Sequence, residues 1–132
     1  MTERIRRRID HERIVWLTTV SPSGRPAPRP VWFVWDGEAF VVYSKPDTAK
    51  LRHIDSNERV TLHFNSDAYG RDVVVIVGRA HRIAEPLPPS ACPGYLDKYA
   101  DRLGKIGHDP ASYDEAFRVA LRITPERSYF PS

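Results

Sequence analysis

Two short apolar runs separated by Asp36-Gly37 constrain the fold of this chain more than any other feature of its sequence. Val31–Trp35 forms the first run and Ala39–Tyr43 forms the second. An Asp-Gly pair between apolar runs is a strong β-hairpin signal, because a type I′ turn needs positive φ at both of its central positions. The sequence therefore predicts two antiparallel strands joined by a type I′ turn.

The second of these strands runs into a loop that carries hydroxyl groups and lysines. These residues are Ser44, Lys45, Thr48 and Lys50, and a helix is predicted to begin at Thr48. Exposed N–H groups and the helix dipole favour negative charge at a helix N-terminus, so the loop is a candidate anion site. Most lysines are simply solvated, and the residues alone leave both interpretations open.

Prolines mark the beginning of the first strand. Pro26, Pro28 and Pro30 have no N–H group to donate. A strand that begins in this way must lie at a sheet edge or leave a gap in the hydrogen-bond ladder. A flat ligand could lie against the backbone in such a gap. A guard against edge-to-edge aggregation would explain the prolines equally well.

The remaining periodicity predicts a mainly β (α+β) fold. Strands are predicted at Ile14–Val20, Arg59–Asn65, Asp72–Ala84 and Val119–Ile123, and helices at Thr2–Glu12, Thr48–Ser56, Tyr95–Leu103 and Ser112–Arg118. Gly78, inside the long strand, is predicted to be a β-bulge or a point of close backbone approach. With the hairpin, this makes six strands joined by turns, which favours an antiparallel β-barrel with small flanking helices over a parallel sheet.

Length and composition limit the class of protein. The 132 residues are expected to form a single domain, 1–132. No apolar run approaches the ~20 residues of a membrane-spanning helix, and no secretory signal follows the basic N-terminus. The lone Cys92 excludes an internal disulfide and fits a reducing compartment, so a cytoplasmic location is expected. The formal net charge of +3 suits an anionic small ligand.

Motifs of several functional classes are absent. The five histidines have no metal-ligand spacing, so no metal site is expected. The sequence has no G-x-S-x-G, P-loop or G-x-G-x-x-G motif, which argues against hydrolase, nucleotide-triphosphatase and Rossmann functions. Arg6–Arg8 is interpreted as a solvated helix face because acidic residues flank it, so nucleic acid is not an expected partner.

The order and spacing of these features resemble the split β-barrel family typified by pyridoxamine 5′-phosphate oxidase. The residues that carry the resemblance are Gly24-Arg25-Pro26, Pro30-Val31-Trp32-Phe33, Asp36-Gly37, Ser44, Ala49-Lys50-Leu51-Arg52 and Arg59-Val60. Within the family, the sequence is most similar to the short actinobacterial branch that binds the deazaflavin coenzyme F420. The resemblance extends from about His11 to Phe130 and implies a six-stranded antiparallel split β-barrel that forms a homodimer.

The resemblance also implies a cofactor site at the dimer interface. The ring would lie against the first hairpin strand, and the phosphate would be held by the lysine loop, in agreement with the anion site expected from the residues. The partner subunit would add Tyr69, Arg71 and Tyr129. The expected cofactor-binding residues are Arg29, Pro30, Val31, Tyr43, Ser44, Lys45, Thr48 and Lys50.

The activity implied by the resemblance is hydride transfer between reduced coenzyme F420 and a small unsaturated acceptor. The cofactor would supply the redox chemistry. No catalytic residue is identified, and Tyr43, His63 and Tyr69 are the candidate proton donors. An FMN-binding oxidoreductase of the same fold and a non-catalytic F420 carrier are the alternatives. The sequence has no counterpart of the arginine-rich C-terminal segment that recognises pyridoxal phosphate, so oxidation of pyridoxine phosphate is not expected.

Overall fold

A computed structural model describes residues 2–129. Within them, seven strands form one antiparallel sheet: β1 (Val15–Val20), β2 (Pro26–Val31), β3 (Val34–Trp35), β4 (Phe40–Ser44), β5 (Arg59–His63), β6 (Val75–Arg82) and β7 (Val119–Tyr129). The helices are α1 (Glu3–His11), α2 (Ala49–Ser56), α3 (Tyr95–Leu103) and α4 (Pro110–Ala116), with 3-10 turns at Pro89–Ala91 and Gly104–Ile106. None of the helices in this part of the chain is long and apolar enough to cross a membrane.

The strand order requires the sheet to curl. The order β2-β1-β5-β6-β7-β4-β3 places β2 and β3 at opposite edges. Only Trp32 and Phe33 separate these strands along the chain, so their facing ends are at most about 11 Å apart. In a flat sheet of this size the two edges would lie about 29 Å apart. The sheet is therefore a barrel that is split between β2 and β3.

The expected number of six strands is wrong, because the proline-led strand breaks into β2 and β3. At the break, the backbone of Phe33 leaves the ladder and bonds to α3. The Phe33 N–H donates to the Tyr99 hydroxyl at 2.9 Å, and the Lys98 ammonium donates to the Phe33 carbonyl at 2.9 Å. The Tyr99 hydroxyl donates in turn to the carbonyl of Arg13 at 2.6 Å. Side chains of α3 thus replace the missing strand neighbour.

The hairpin is present, but its turn is not of type I′. Trp35 pairs with Phe40, which leaves a loop over residues 36–39. Gly37 has a φ of 99°, whereas Asp36 does not have positive φ. The Asp36 carboxylate instead accepts the backbone N–H groups of residues 38 and 39, at 2.9 and 2.8 Å. This side-chain contact stabilises a wider loop, in which only the glycine needs the left-handed region.

Strand β2 has an uncommon free edge. The prolines at 26, 28 and 30 lie opposite Val20, Thr18 and Trp16 of β1. Opposed residues in an antiparallel pair alternate between those that exchange hydrogen bonds and those that direct both N–H and C=O away from the partner. Because proline cannot donate, the prolines belong to the second class. The edge of β2 that faces away from β1 therefore presents proline carbonyls and, over these positions, no N–H group.

Alternating side chains build two apolar layers. The inner layer fills the barrel, and α1 closes one end of it with Ile5 and Ile9, which are 1% and 2% exposed. The outer layer packs α3 and α4 against β3, β4 and β7. Its buried members are Val34, Val41, Tyr43, Tyr95, Tyr99, Leu103, Tyr113 and Ala120.

The ladder between β6 and β7 shifts register between Val77 and Gly78. This shift confirms the bulge predicted at Gly78. A Cβ atom added to Gly78 would lie 2.5 Å from the carbonyl oxygen of Thr124. The close approach of the two backbones therefore requires glycine at this position.

Several element boundaries differ from those predicted. Strand β7 continues to Tyr129 instead of ending at Ile123, because its second half pairs with β6 alone. Helix α4 begins at Pro110, before the predicted Ser112. The Asp109 carboxylate caps it by accepting the Ser112 N–H at 2.8 Å, and proline is well suited to the first helical position.

Candidate functional site

A pocket lies on the outer side of the barrel split, between β2 and the helical layer. We call it the split pocket; its volume is about 280 Å³. Four of the eight residues expected to bind a cofactor line it: Pro30, Val31, Tyr43 and Lys50. The other lining residues are Trp32, Ile106, Tyr113 and Phe117. The structure thus brings the proline-led strand and the lysine loop to one cavity.

Lys50 places a positive charge in this largely apolar cavity. It is the second residue of α2, and its side chain is partly buried. Burial lowers the pKa of Lys50, and the neighbouring charge of Arg29 lowers this pKa further. Within residues 2–129, neither an ion pair nor a hydrogen bond joins Lys50 to a carboxylate. Two cations near each other without an acidic partner form a site that an anion would stabilise.

The hydroxyl groups of the loop shape it from within. Ser44 is fully buried, and its Oγ donates to the carbonyl oxygen of Lys45 at 2.7 Å. The same Oγ lies 3.1 Å from Oγ1 of Thr48, the N-cap residue of α2. Thr48 makes no side-chain cap bond, so the N–H groups of the first turn of α2 are not capped by it. These N–H groups and the lysines remain available to an anion.

Lys45 lies beside the pocket. Its side chain is exposed, and Nζ is 5.5 Å from the centroid of the Phe117 ring. Arg29 is also exposed, and its positive charge lowers the pKa of Lys50, which lines the pocket. Of the expected residues, Arg29, Ser44, Lys45 and Thr48 therefore surround the cavity without lining it.

Near-parallel aromatic rings form the wall opposite the lysine. Trp32 stacks on Tyr99 with centroids 4.5 Å apart and planes 3° apart, and on Tyr113 at 5.7 Å and 18°. Tyr113 stacks on Phe117 at 4.2 Å and 13°. The Tyr113 hydroxyl lies 2.8 Å from that of Tyr95, so it is used within the protein. This wall offers ring surfaces, and the indole N–H of Trp32 has no hydrogen-bond partner among residues 2–129.

The sequence interpretation did not assign Trp32, Ile106, Tyr113 or Phe117 to a site. Trp32 was noted as part of the resemblance, and the other three lie in the region between β6 and β7. Aromatic residues at helical spacing are typical of a core, and nothing in the spacing separates a core ring from one that also lines a cavity. The contacts of α4 with the split could not be inferred from local pattern.

The candidate proton donors are placed apart. The Tyr43 hydroxyl donates to the Leu87 carbonyl at 2.6 Å, and burial raises the Tyr43 pKa. His63 stacks on Trp16 at 6.0 Å, away from the split pocket, and Tyr69 is 82% exposed in a loop. Only Tyr43 lines the pocket, and its proton is engaged in a structural hydrogen bond.

The residues expected from a partner subunit lie on the surface of this chain. Tyr69 and Arg71 share one loop, with the guanidinium carbon 4.9 Å from the centre of the tyrosine ring. Tyr129 is 46% exposed at the end of β7. None of the three lines the split pocket of its own chain. Their proposed contact with a cofactor stays a prediction about a second copy.

The free energy of unfolding is expected to increase as pH rises from about 8 to about 9.5, because Lys98 loses its proton more readily in the native state than in the unfolded chain. Burial lowers the pKa of Lys98 from 10.5 to about 8, and the charge of Arg13 adds to this effect. In that interval the unfolded chain keeps the proton that the native state releases, so stability increases with pH, by about 1 kcal/mol. Urea unfolding of the native protein and of Lys98→Met at both pH values measures this. Equal pH dependence in the two proteins would contradict the assignment.

The split pocket can hold a flat ring that carries an anionic group. The ring would occupy the space between β2 and the aromatic wall, and the anion would lie near Lys50. Within the described residues, no three His, Cys, Asp or Glu side chains are grouped to hold a metal ion. A second cavity of about 340 Å³ lies between α1, the β3–β4 loop and β7, and none of the expected cofactor-binding residues lines it.

Comparisons with known proteins agree with this architecture. The family model described as pyridoxamine 5′-phosphate oxidase matches residues 1–131. An F420 reductase structure is similar with a TM-score of 0.69 and 24% identity, over 88% of each chain. A conserved hypothetical protein from Mycobacterium tuberculosis has a TM-score of 0.72 and 22% identity, over 97% of this chain and 82% of its own. The heme storage protein HutZ from Vibrio cholerae has a TM-score of 0.67 and 16% identity, over 96% and 91%. A comparison with curated proteins finds no significant match.

Proposed function

Because the chain belongs to the pyridoxamine 5′-phosphate oxidase family, we propose that it is an oxidoreductase that transfers a hydride between reduced coenzyme F420 and a small unsaturated acceptor. The observation that carries the proposal is the position of Lys50 in a pocket beside β2, as a partly buried ammonium that has no acidic partner within residues 2–129. The structural likeness to an F420 reductase supports the same cofactor. A cytoplasmic location and a small-molecule acceptor belong to this proposal.

The residues of the chain would bind, orient and shield. Lys50, with Lys45 and Arg29 beside it, would hold the anionic part of the cofactor, and the N–H groups of the α2 first turn would assist. The aromatic wall would fix the plane of the ring and exclude water. The bound cofactor supplies the hydride chemistry. The Tyr43 hydroxyl, which donates to Leu87, would keep the wall in place and is not assigned a proton transfer.

Two other functions remain alternatives. An FMN enzyme would use the same anion site, since FMN also carries a phosphate. A carrier would bind coenzyme F420 without turning over an acceptor. Heme storage, the role named for the Vibrio cholerae protein, finds less support here, because no histidine or cysteine in the described part of the chain lines the split pocket.

Side-by-side titration with coenzyme F420 and FMN tests the cofactor. We expect F420 to bind more tightly, with turnover when reduced F420 is mixed with a panel of activated C=C and C=N acceptors. Tighter binding of FMN would replace the proposal with the FMN enzyme. Tight F420 binding without turnover of any acceptor would favour the carrier.

We also propose that the functional unit is a homodimer. Five residues lie opposite one another across adjacent strands, and we call them the outer row: Pro30, Trp16, His63, Val75 and Tyr129. The outer row begins at a residue of the split pocket, so a second copy seated on it would reach that pocket. Three residues of the outer row, Trp16, His63 and Val75, are partly buried. The sheet face that they form is the one that points away from the barrel interior.

Light scattering tests the dimer. We expect a mass of twice the 15.1 kDa of one chain. Val75→Arg should give a monomer, because the new charge would be buried in the interface. Leu87→Arg is the control, since Leu87 is 57% exposed and lies outside the outer row. A monomeric native protein would contradict the proposal.

A further inference from the structure

The polar groups available to a ring in the split pocket are few. The wall of Trp32, Tyr113 and Phe117 offers ring surfaces and the indole N–H of Trp32, which has no partner among residues 2–129, whereas the hydroxyls of Tyr43 and Tyr113 are engaged elsewhere. Lys50 serves the anionic group. The backbone of β2 is therefore the polar strip nearest to a ring that lies against Pro30 and Val31.

That strip accepts hydrogen bonds at Pro30 but cannot donate them there. Pro30 faces Trp16 of β1 in the class of pairs whose backbone groups point away from the neighbour, so its carbonyl is directed to the free edge. The carbonyl of Arg25, just before β2, accepts the backbone N–H of Ser21 at 2.9 Å. This bond agrees with an alternation in which the odd-numbered residues direct their backbone groups towards β1. At Pro30 the edge is thus acceptor-only, whereas Trp32, two residues further along the chain, keeps its backbone N–H.

The two candidate rings are a flavin and a 5-deazaflavin. Along the side of the ring that carries the hydrogen-bonding groups, they differ at one atom. Both rings have an N–H between two carbonyls, so this group does not distinguish them. At position 5, an oxidised flavin has a nitrogen with a lone pair next to a carbonyl oxygen, whereas a 5-deazaflavin has a C–H group. A carbonyl of β2 would repel the flavin lone pair, but it would accept a weak C–H···O contact from the deazaflavin.

We propose that the donor-free edge of β2 selects a 5-deazaflavin over a flavin, and that Pro30 is the specificity-determining residue. This inference rests on the proposed function, since it requires the ring to lie in the split pocket. A residue with an N–H at position 30 would place a donor on the free edge, where a flavin N5 could accept it. Proline removes that donor without adding a side-chain group that could take its place.

Protection of the sheet edge is the competing explanation for the prolines. Pro26 and Pro28 already interrupt the edge, and neither lines the split pocket. Pro30 combines the same backbone property with a place in the cavity wall. The two explanations therefore make different predictions for Pro26 and Pro30.

The test uses FMN and 5-deaza-FMN, which share the phosphate and the ribityl chain and differ only at position 5. Dissociation constants are measured for the native protein, Pro30→Ala, Pro30→Val and the control Pro26→Ala. We expect the native protein to bind 5-deaza-FMN about tenfold more tightly than FMN. This ratio should fall towards one in both Pro30 variants and stay unchanged in Pro26→Ala. Thermal melting checks that each variant is folded.

Each outcome decides the inference. If the native protein binds both probes equally, or if the ratio persists in the folded Pro30 variants, Pro30 does not select the ring and the cofactor site itself still stands. If Pro26→Ala lowers the ratio as much as Pro30→Ala does, the effect comes from the edge in general and the assignment to Pro30 is overturned. If neither probe nor coenzyme F420 binds, the proposed function fails. Should both Pro30 variants unfold, the native protein decides: tighter binding of 5-deaza-FMN than of FMN supports the inference, and equal binding overturns it.

Discussion

Lys50→Ala is expected to weaken the binding of coenzyme F420 by about 1.5–3 kcal/mol, or roughly 10- to 150-fold. The side chain is the charged group that lines the split pocket, and burial together with Arg29 already lowers its pKa. An anion bound there would relieve the repulsion between the two cations. Fluorescence titration of the purified variant with coenzyme F420 measures the change.

Arg7→Ala is the matched control, because it removes the same charge from an exposed position on α1. We expect this control to change the dissociation constant less than twofold, since a distant surface charge is screened by salt. An unchanged dissociation constant for Lys50→Ala, or an equal loss in both variants, would remove the anion site from the split pocket.

Gly78→Ala is expected to destabilise the protein by about 3 kcal/mol. The added Cβ would lie 2.5 Å from the carbonyl oxygen of Thr124 and 3.4 Å from Cα of Pro125. Both are backbone atoms of β7, so the clash cannot be relieved by rotating a side chain. The strands would have to separate at the bulge, where they hold the middle of the sheet together. Urea unfolding measures the loss.

Gly104→Ala is the control for this prediction. Gly104 has a φ of −62° in the right-handed region, and an added Cβ would meet no atom within 4 Å. We expect it to stabilise the protein by about 0.4–1 kcal/mol, because alanine restricts the unfolded chain more than glycine does. A Gly78→Ala variant as stable as the native protein would mean that the two backbones can move apart at little cost.

The elements that local sequence determines were predictable. β-Branched and aromatic residues located β1, apolar alternation located β5, and a glycine inside a long strand indicated the bulge at Gly78. The helical pattern located α3 with its observed bounds. The break between β2 and β3 was not predictable. It depends on Tyr99 and Lys98, which are more than sixty residues away in the sequence and bond to the backbone of Phe33. No pattern near residue 33 indicates that a distant phenol will replace a strand neighbour.

The candidate site divides in the same way. The sequence and the resemblance named Pro30, Val31, Tyr43 and Lys50 together, and these four residues line one cavity. Their binding of a ligand stays a prediction. The role of Ser44 required the structure, because a hydroxyl beside a loop can face a ligand or, as here, be fully buried. The aromatic wall also required it, since the docking of α4 against the split is a property of the tertiary fold.

The attachment of Phe33 to α3 affects how the pocket can vary. Neighbouring strands in a ladder are held at a fixed spacing by their backbones, but the link between β2 and β3 is held to α3 by a tyrosine and a lysine side chain. The same tyrosine, Tyr99, stacks on Trp32, which lines the split pocket. Substitutions at these two positions of α3 would therefore move one residue of the cavity wall without breaking a strand ladder.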